Sequence, residues 1–445
     1  MILSVYSAVY LFFLLCYTVK EKSPGKEPRY CKSEVSVMTA NDIMKIFEET
    51  AYVRMGGSPE ELRVAEYLRD KAAELGLTAQ LVPFEVPMAD IEAEKLVIDG
   101  REIPCKGYLC SGDADLEADF VYMPLIDKLS LSRCKGKIIM IDGRMGYWRY
   151  QDVLEAGAAG FITYDGDVSY ADRDIDRREL RSWVHQGNRI PGMNINVKDA
   201  VELIRKGVST AKITLKQTES TADSHNVILD LPGETEEYIA FTAHYDSTSL
   251  SQGAYDNMSG SVGLLAIAEH FAKHPHRYGM RFIWCGSEER GLLGAKAYCQ
   301  DEEALKNCVL NINLDMIGCI MGKFIACCTT EEDTVSYLKY FSNETGFPLH
   351  AYQDVYSSDS TPFADKGIPA ISFARISPDN TGTIHNRYDT MALMKGEQMV
   401  EDIAFIISFV DRMANAARCP IAREIPEKMK EKLDEYLCRK RPAKA

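Results

Sequence analysis

The chain has 445 residues, more than a single core of ordinary size accommodates, so two domains are expected. Its hydrophobic content of 46% and its charged content of 26% are those of a soluble globular protein. The net charge of −15 argues against nucleic acid and against an anionic membrane surface as partners.

The cysteines and the N-terminus point to different compartments. The thirteen cysteines contain no C-x-x-C pair and no regular spacing, so they indicate neither a cysteine zinc site nor a disulfide framework, and they favour a reducing, cytoplasmic location. Met1–Tyr17 is strongly apolar and allows a secretory segment or a short membrane anchor, although it lacks a positive n-region and a cleavage site. A third alternative places the natural start at Met38. A secreted or membrane-anchored protein therefore stays open beside a cytoplasmic one.

Two helices and a strand are predicted at the start of the folded region. Between Thr39 and Leu77 apolar residues recur with a helical period in two runs, and Pro59 begins the second run. Gly76 is typical of the residue that follows a helix. The apolar segment Leu81–Val86 then predicts a strand.

Residues 87–215 differ in their sequence pattern, because the predicted elements are short and are separated by residues typical of turns. The predicted elements are strands at Lys137–Asp142, Gly160–Tyr164 and Ile190–Ile195 and helices at Asp152–Ala158 and Asp199–Ile204. No cluster of histidine and carboxylate residues stands out in this segment. We interpret it as an inserted, non-catalytic module.

From Asn226 onward strands and helices alternate regularly. The predicted strands are Asn226–Leu231, Tyr238–Ala243, Arg281–Cys285, Cys308–Asp315 and Ala370–Ala374. The predicted helices are Ser259–Phe271, Leu293–Cys299, Thr334–Thr345 and Lys395–Met413. Apolar strands that alternate with helices imply a largely parallel sheet covered on both faces. The charged tail from Glu424 is expected to form a surface helix with a frayed end.

Histidines and carboxylates follow these strands in one order, which is His244, Asp256, Glu288-Glu289, Asp315 and His385. An α/β fold gathers its site in such loops, and histidine and carboxylate without cysteine suit zinc with an open coordination position. Each residue alone has an ordinary explanation, because Asp256 could cap a helix, Glu288-Glu289 could start one, and a histidine could lie on the surface. All six together favour a site with two metals, a shared carboxylate and a spare carboxylate as base.

The sequence around these residues resembles the di-zinc aminopeptidase family of secreted bacterial leucyl aminopeptidases, glutamate carboxypeptidase II and the transferrin receptor. The motifs that carry the resemblance are AHYDS (243–247), AYDNMSGSVGLL (254–265), SEERGLLGA (287–295), NINLDMIG (311–318), SDSTPFADKGIPAISF (358–373) and IHNRYDT (384–390). In the inserted segment, KGKIIMIDG (135–143), AGAAGFITY (156–164) and IPGMNINVKDAVELI (190–204) resemble a protease-associated domain.

The resemblance implies a fold and a division of the chain. The expected fold is α/β, a mixed, mostly parallel sheet flanked by helices as in zinc exopeptidases, with a smaller inserted α/β protease-associated domain. The peptidase domain would comprise residues 39–84 and 218–413, and the inserted domain residues 85–217. Residues 1–38 would be an apolar segment and linker, and residues 414–445 a charged tail.

The resemblance also implies two zinc ions per chain and five ligands, which are His244, Asp256, Glu289, Asp315 and His385. His244 and Asp315 would bind the first zinc ion, Glu289 and His385 the second, and Asp256 would bridge them. Glu288 would be the general base, and Asp246 would orient His244.

Two positions depart from many relatives of this kind. Ile384 stands where a tyrosine often precedes the last histidine, and Ser360 stands where a histidine often follows Ser-Asp. Both positions bear on oxyanion stabilisation and on the substrate pocket, and neither is a metal ligand.

The expected function is a metallopeptidase, an aminopeptidase that removes N-terminal residues from peptide substrates with water activated by two zinc ions. The alternatives are a carboxypeptidase or amidase on the same centre, a glutaminyl-cyclase-like enzyme with one metal, and a non-catalytic binding scaffold. The sequence indicates no side-chain preference, oligomeric state or role for the inserted segment. A membrane would be a partner only if Met1–Tyr17 were an anchor.

Overall fold

The structure, a computed structural model, describes residues 38–378 and 382–442. Met1–Tyr17 lies outside these residues, so the interpretations of that segment stay predictions. Within the described ranges, no helix is both long enough and apolar enough to cross a membrane.

The strands of the described residues form one mixed sheet. They are β1 Ala79–Ile98, β2 Arg101–Ile103, β3 Lys106–Gly107, β4 Ala114–Met123, β5 Ile138–Asp142, β6 Gly160–Asp165, β7 Gly192–Asn196, β8 Thr210–Leu231, β9 Tyr238–His244, β10 Gly279–Cys285, β11 Cys308–Leu314, β12 Lys323–Thr329, β13 His350–Gln353 and β14 Ala370–Ile376. Strands β10, β9, β11 and β14 are parallel neighbours in one part of the sheet, and β4, β5, β6 and β7 are parallel neighbours in another. The predicted mixed, mostly parallel α/β sheet is confirmed.

Helices flank the sheet, and every predicted helix has a counterpart. They are α1 Ala40–Thr50, α2 Pro59–Glu74, α3 Lys128–Leu131, α4 Tyr147–Glu155, α5 Ser182–His185, α6 Val197–Lys206, α7 Ser259–Ala272, α8 Leu293–Tyr298, α9 Glu302–Leu305, α10 Glu332–Thr345, α11 Ser360–Asp365, α12 Gly396–Ala414 and α13 Glu427–Tyr436. Side-chain caps begin the first two, because Thr39 accepts the N–H of Asp42 and Ser58 accepts that of Glu61. The predicted bounds of α4 are wrong by several residues, since Gly157 has a φ of +73° that ends the helix early.

Two long strands connect the parts of the sheet. β1 and β8 pair antiparallel along almost their whole length, from Ala79 opposite Leu229 to Ile98 opposite Ala211. Only one end of each strand was predictable, as Leu81–Val86 and Asn226–Leu231, because the rest of this ribbon alternates between buried and more exposed residues and lacks a continuous apolar run. The predicted division at residues 84/85 and 217/218 falls inside these strands.

The buried apolar side chains form separate clusters in the two predicted domains. The largest cluster includes Phe241, Val262 and Phe282 of the peptidase part, whereas Ile138, Ile162 and other residues of the inserted segment form clusters of their own. Separate cores support the predicted division. The division and the likeness of residues 85–217 to a protease-associated domain stay predictions.

Candidate metal centre

Two buried residues at the end of β9 begin the site. His244 is the last residue of β9, and His244 Nδ1 lies 3.4 Å from Oδ1 of Asp246. The two oxygens of Asp246 accept the backbone N–H groups of Glu288 and Glu289 at 2.9 and 3.1 Å. Asp246 therefore connects the loop of His244 to the loop of Glu288 and Glu289. The prediction had given Asp246 only the role of orienting His244.

Asp256 lies between the two histidines. Its Oδ1 is 3.2 Å from Nε2 of His244, and its Oδ2 is 3.0 Å from Nε2 of His385. It belongs to the turn Ala254–Met258, and the N-cap position of α7 is Met258, which makes no side-chain capping hydrogen bond. The alternative that Asp256 caps a helix is therefore wrong.

The adjacent side chains of Glu288 and Glu289 reach different histidines. Glu288 Oε2 is 3.9 Å from Nε2 of His244, whereas Glu289 Oε1 is 3.1 Å from Nε2 of His385. Because α8 begins only at Leu293, both carboxylates lie in a turn and not in the first turn of a helix. The alternative of an acidic helix start is wrong for the same reason.

Asp315 and His385 complete the set. Asp315 directly follows β11, and its Oδ1 is 3.8 Å from Nε2 of His244. His385 lies in the loop before α12 and is the most exposed of the five predicted ligands, at 24% of its side chain. The structure thus brings all five predicted ligands together from five separate segments of the chain.

The five predicted ligands form two overlapping groups of three. One group is His244, Asp256 and Asp315, and the other is Asp256, Glu289 and His385, with the ligand atoms of each group within 4.8 Å of one another. Oε1 of Glu289 and Oδ1 of Asp315 are buried and have no hydrogen-bond partner among the described residues. Buried carboxylates need compensating cations. The donors, two imidazoles and three carboxylates without a thiolate, fit the two predicted zinc ions with Asp256 shared.

The charges of the site agree with this fit. Burial lowers the pKa of His244, but Glu288 and the other carboxylates around it outweigh burial and raise that pKa well above its usual value. Burial raises the pKa of Asp256, but His244 and His385 hold it well below its usual range. Burial raises the pKa of Glu288 well above its usual value, against the opposite effect of His244. The carboxylates therefore create a negative potential around His244 and Asp256, which favours the binding of cations there.

Asp389 supports Asp256, although no role was predicted for it. Its carboxylate is fully buried and accepts the N–H of Tyr255 at 2.8 Å, the N–H of Asp256 at 3.2 Å and the hydroxyl of Ser251 at 3.0 Å. Burial raises its pKa to about 6. Its place inside the motif IHNRYDT was the signal that could have found it.

Glu61 supports the opposite side of the site. One oxygen of this buried carboxylate accepts the N–H of Ser287 at 2.8 Å and the hydroxyl of Ser224 at 2.9 Å, and the other accepts the N–H of Gly57. Burial raises the pKa of Glu61 to about 7. Ser287 has a φ of +53°, in the left-handed region, so Glu61 holds the strained residue that precedes Glu288. No local pattern in α2 predicts a contact this distant in sequence.

A phenol also lies at the centre. Tyr356 Oη is 3.5 Å from the carbonyl oxygen of Asp315, a contact too long to be a firm hydrogen bond. Burial raises the pKa of Tyr356 well above its usual value, and the negative charge of Asp315 adds to this effect. Tyr356 therefore offers a protonated donor, which Ile384 cannot supply.

The inserted segment borders the site. A cavity of about 290 Å³ has residues of both parts in its wall, among them Met55, Trp183 and the predicted ligand Glu289. Arg181 donates to the carbonyl oxygen of Glu289 at 2.6 Å, and Nη2 of Arg144 is 2.5 Å from Nδ1 of His385. The module that the sequence left without a role thus contacts two predicted ligands.

Comparison with known proteins identifies the family. Residues 226–408 match the sequence model of peptidase family M28. The chain is 27% identical to aminopeptidase YwaD of Bacillus subtilis (strain 168) over 343 residues, 73% of each protein. Residues 226–408 of this chain therefore form a peptidase family M28 domain. The M28 chain is also 29% identical to leupeptin-inactivating enzyme 1 of Streptomyces exfoliatus over 196 residues, which are 41% of this chain and only 43% of that relative.

Solved structures share the fold of this M28 peptidase along most of its length. A zinc aminopeptidase from Bacillus subtilis superposes with a TM-score of 0.72 at 24% identity, covering 89% of this chain and 100% of that one. An aminopeptidase from Aneurinibacillus sp. strain AM-1 gives a TM-score of 0.70 at 24% identity, covering 86% and 95%. The predicted family, fold and enzyme class, a metallopeptidase with peptide substrates, are confirmed.

Proposed function

We propose that this M28 peptidase is an aminopeptidase that removes N-terminal residues from peptides with two zinc ions. The proposal rests on the two groups of three possible metal ligands that share Asp256. The Glu288 carboxylate lies beside these groups and belongs to neither. The relatives named as aminopeptidases support the N-terminus as the end that is attacked.

The two groups support a division of the ligands. His244 and Asp315 would hold the first zinc ion and Glu289 and His385 the second, and each oxygen of Asp256 faces one of the two histidines. Zinc held there would polarise a substrate carbonyl and lower the pKa of water, which would supply a nucleophile at neutral pH.

Glu288 is the general base of the proposed reaction. Its carboxylate lies 3.9 Å from the His244 ring, so it is next to the centre without belonging to either group of donors. Glu288 takes a proton from the attacking water and passes it to the nitrogen of the leaving amine. The hydrogen bond from its backbone N–H to Asp246 fixes where this exchange occurs.

Tyr356 stabilises the oxyanion that forms on the substrate carbonyl. Its phenol lies at Asp315 and, among the described residues, has only the 3.5 Å contact with a backbone carbonyl, so it is available to donate to a substrate oxygen. This donor comes from the segment before α11 and takes over the function that Ile384 cannot perform. Asp246, Asp389 and Glu61 act as positioning residues, because they touch the ligands or their loops and not the reacting atoms.

The proposal is tested with aminoacyl-p-nitroanilides and their N-acetylated counterparts, each with and without a chelator. We expect hydrolysis of the free-amine series alone, loss of activity with chelator and recovery with zinc. Hydrolysis of N-acylated peptides from their C-terminal end would replace the aminopeptidase with a carboxypeptidase. Bound zinc without turnover of either series would leave a binding scaffold.

We also propose that the protein works in a reducing compartment such as the cytoplasm. The eleven cysteines of the described ranges are all free, and eight of them are buried. Free buried thiols are typical of proteins that never meet an oxidising compartment. Fractionation of the native host, with the thiols counted in the recovered protein, tests this location.

A further inference from the structure

The C-terminal helix is fixed to the peptidase part. α13 buries Met429 and Leu433, at 0% and 3% exposed, in a cluster that includes Ala364 of α11 and Ala370 of β14. Lys432 Nζ lies 2.7 Å from Oδ1 of Asp354, in the segment that precedes α11. A surface helix was predicted here, but its position is set by burial, so the chain leaves α13 at a defined place.

The residues after α13 cross to the inserted segment. Arg439 still pairs with the peptidase part, through Nη2 at 2.7 Å from Oδ2 of Asp365. Two residues later Arg441 pairs with Asp152 of α4, and its guanidinium carbon lies 5.3 Å from the centre of the Trp148 ring. The expected frayed end is therefore wrong for residues 437–442, which connect the two parts of the molecule.

The crossing passes the side of the site where Glu288 lies. Tyr436 Oη is 2.6 Å from Oγ of Ser357, the residue after Tyr356. Burial raises the pKa of the Tyr436 phenol to about 12, and the negative charge of Glu288 contributes to this increase against the hydrogen bond of Ser357. The last residue of α13 is thus within electrostatic reach of Glu288.

The position of Glu288 indicates which part of a substrate meets this crossing. In the proposed reaction the leaving amine takes its proton from Glu288, so the released peptide departs on the Glu288 side. The two cavities between the parts have Glu289 or His385 in their walls, and Glu288 lines neither of them. A long peptide that leaves beside Glu288 would meet the end of α13, where residues 437–442 begin.

We infer that residues 437–442, the C-terminal strap, close the leaving-peptide side of the site and restrict this enzyme to short peptides. The inference rests on the proposed aminopeptidase function. A dipeptide ends before it reaches the strap, whereas a long peptide must displace the ion pair and the cation–π contact of Arg441. Since both contacts are partly solvated, we expect the strap to lower kcat/KM for long peptides by about three- to tenfold.

The test uses the full-length, zinc-loaded enzyme and its variant Arg441→Glu, which sets two acidic residues against each other at Asp152. The measured quantity is kcat/KM for a long unstructured peptide divided by kcat/KM for a dipeptide with the same N-terminal residues. We expect this ratio to rise by about three- to tenfold with the dipeptide rate unchanged.

Two further variants separate the strap from a general effect of charge. Lys440→Glu makes the same change of charge one residue earlier, away from the crossing contacts, and should leave the ratio as in the wild type. Arg441→Glu combined with Asp152→Arg restores an ion pair of reversed sign and should bring the ratio back toward the wild type. An unchanged ratio in Arg441→Glu would overturn the inference.

A measurement without turnover distinguishes failure of the strap from failure of the proposed function. Asp152→Lys repels Arg441, so trypsin should release the end of the chain after Arg439 faster than in the wild type, as followed by mass spectrometry. Glu155→Lys, on the same helix, is the matched control. Equal release from Asp152→Lys and wild type would exclude a closed strap, even if no substrate had been turned over.

Discussion

The metal centre and the contact between the inserted segment and the peptidase part both consist of charged side chains, but they differ in burial. At the centre, the side chains of His244 and Asp256 are 1% and 7% exposed. At the contact, the side chain of Arg387 is 51% exposed, and its partners Asp172 and Asp174 are 30% and 27% exposed.

This difference separates a rigid part of the molecule from a loosely held one. Buried partners fix two segments of the centre, because Asp389 accepts the N–H of Asp256 and Asp246 accepts that of Glu289. The ion pairs at the contact are largely solvated, so each contributes little to its stability. The exception is Arg290 with Glu179, at 9% and 12% exposed. We therefore expect changes at the centre to be costly and changes at the ion pairs of Arg387 to be nearly silent.

Removal of the metals should have the largest effect. A chelator should abolish activity and lower the unfolding temperature, because the buried carboxylates then lose the cations that compensate them. A stabilisation of about 3 kcal/mol or more corresponds to zinc at a hundred times its dissociation constant. Calorimetry with and without chelator measures this change. Equal unfolding temperatures would show that the centre does not depend on metal for its stability.

Substitution of the proposed base should be nearly as severe. Glu288→Gln should lower kcat by about a thousandfold, since general base catalysis is lost while the volume of the side chain is kept. Metal analysis should still find two zinc ions per chain. Glu234→Gln, at a largely exposed carboxylate, is the matched control and should have normal activity. Normal turnover in Glu288→Gln would remove the base assignment.

Loss of the proposed oxyanion donor should come next. Tyr356→Phe should reduce kcat by about ten- to a hundredfold with a smaller change in KM, because a donor that acts in the transition state is removed. Tyr352→Phe, in β13 and four residues earlier, is the control and should keep its rate. A change in KM alone would make Tyr356 a substrate-binding residue instead.

The support of Asp256 should be weaker but measurable. Asp389→Asn should reduce zinc affinity by about tenfold, because the carboxylate that accepts the N–H of Asp256 becomes a poorer acceptor. Titration with a competing chelator gives the affinity. If affinity and rate both remained normal, the buried contacts of Asp389 would be structural alone.

The smallest effect is expected at the contact with the inserted segment. Arg387→Ala removes the ion pairs with Asp172 and Asp174, yet kcat/KM should change by less than about threefold because solvated ion pairs contribute little. A loss as large as that of Tyr356→Phe would show that the contact shapes the site. The contrast between a rigid centre and a loosely held inserted segment would then not hold.

The sequence predicted the structure best where a feature depends on a single strand or helix. The apolar runs of β9, β10 and β11 were recognisable, and so were the polar residues that follow them, because a buried parallel strand ends where its loop meets the site. The edge strand β13 and its neighbour β12 were not predicted. The ribbon of β1 and β8 was recognised only at one end, since its other buried residues alternate with more exposed ones and form no continuous apolar run.

The sequence by itself determined which six residues are candidates for the site and their order along the chain, because ligand types and strand ends are local properties. The tertiary structure decided that Asp256 faces both histidines, that Glu61 and Asp389 hold loops distant from them in sequence, and that the tail crosses to Asp152. These are contacts between segments far apart in the chain. They depend on how the buried sheet places its loops, which no local pattern records.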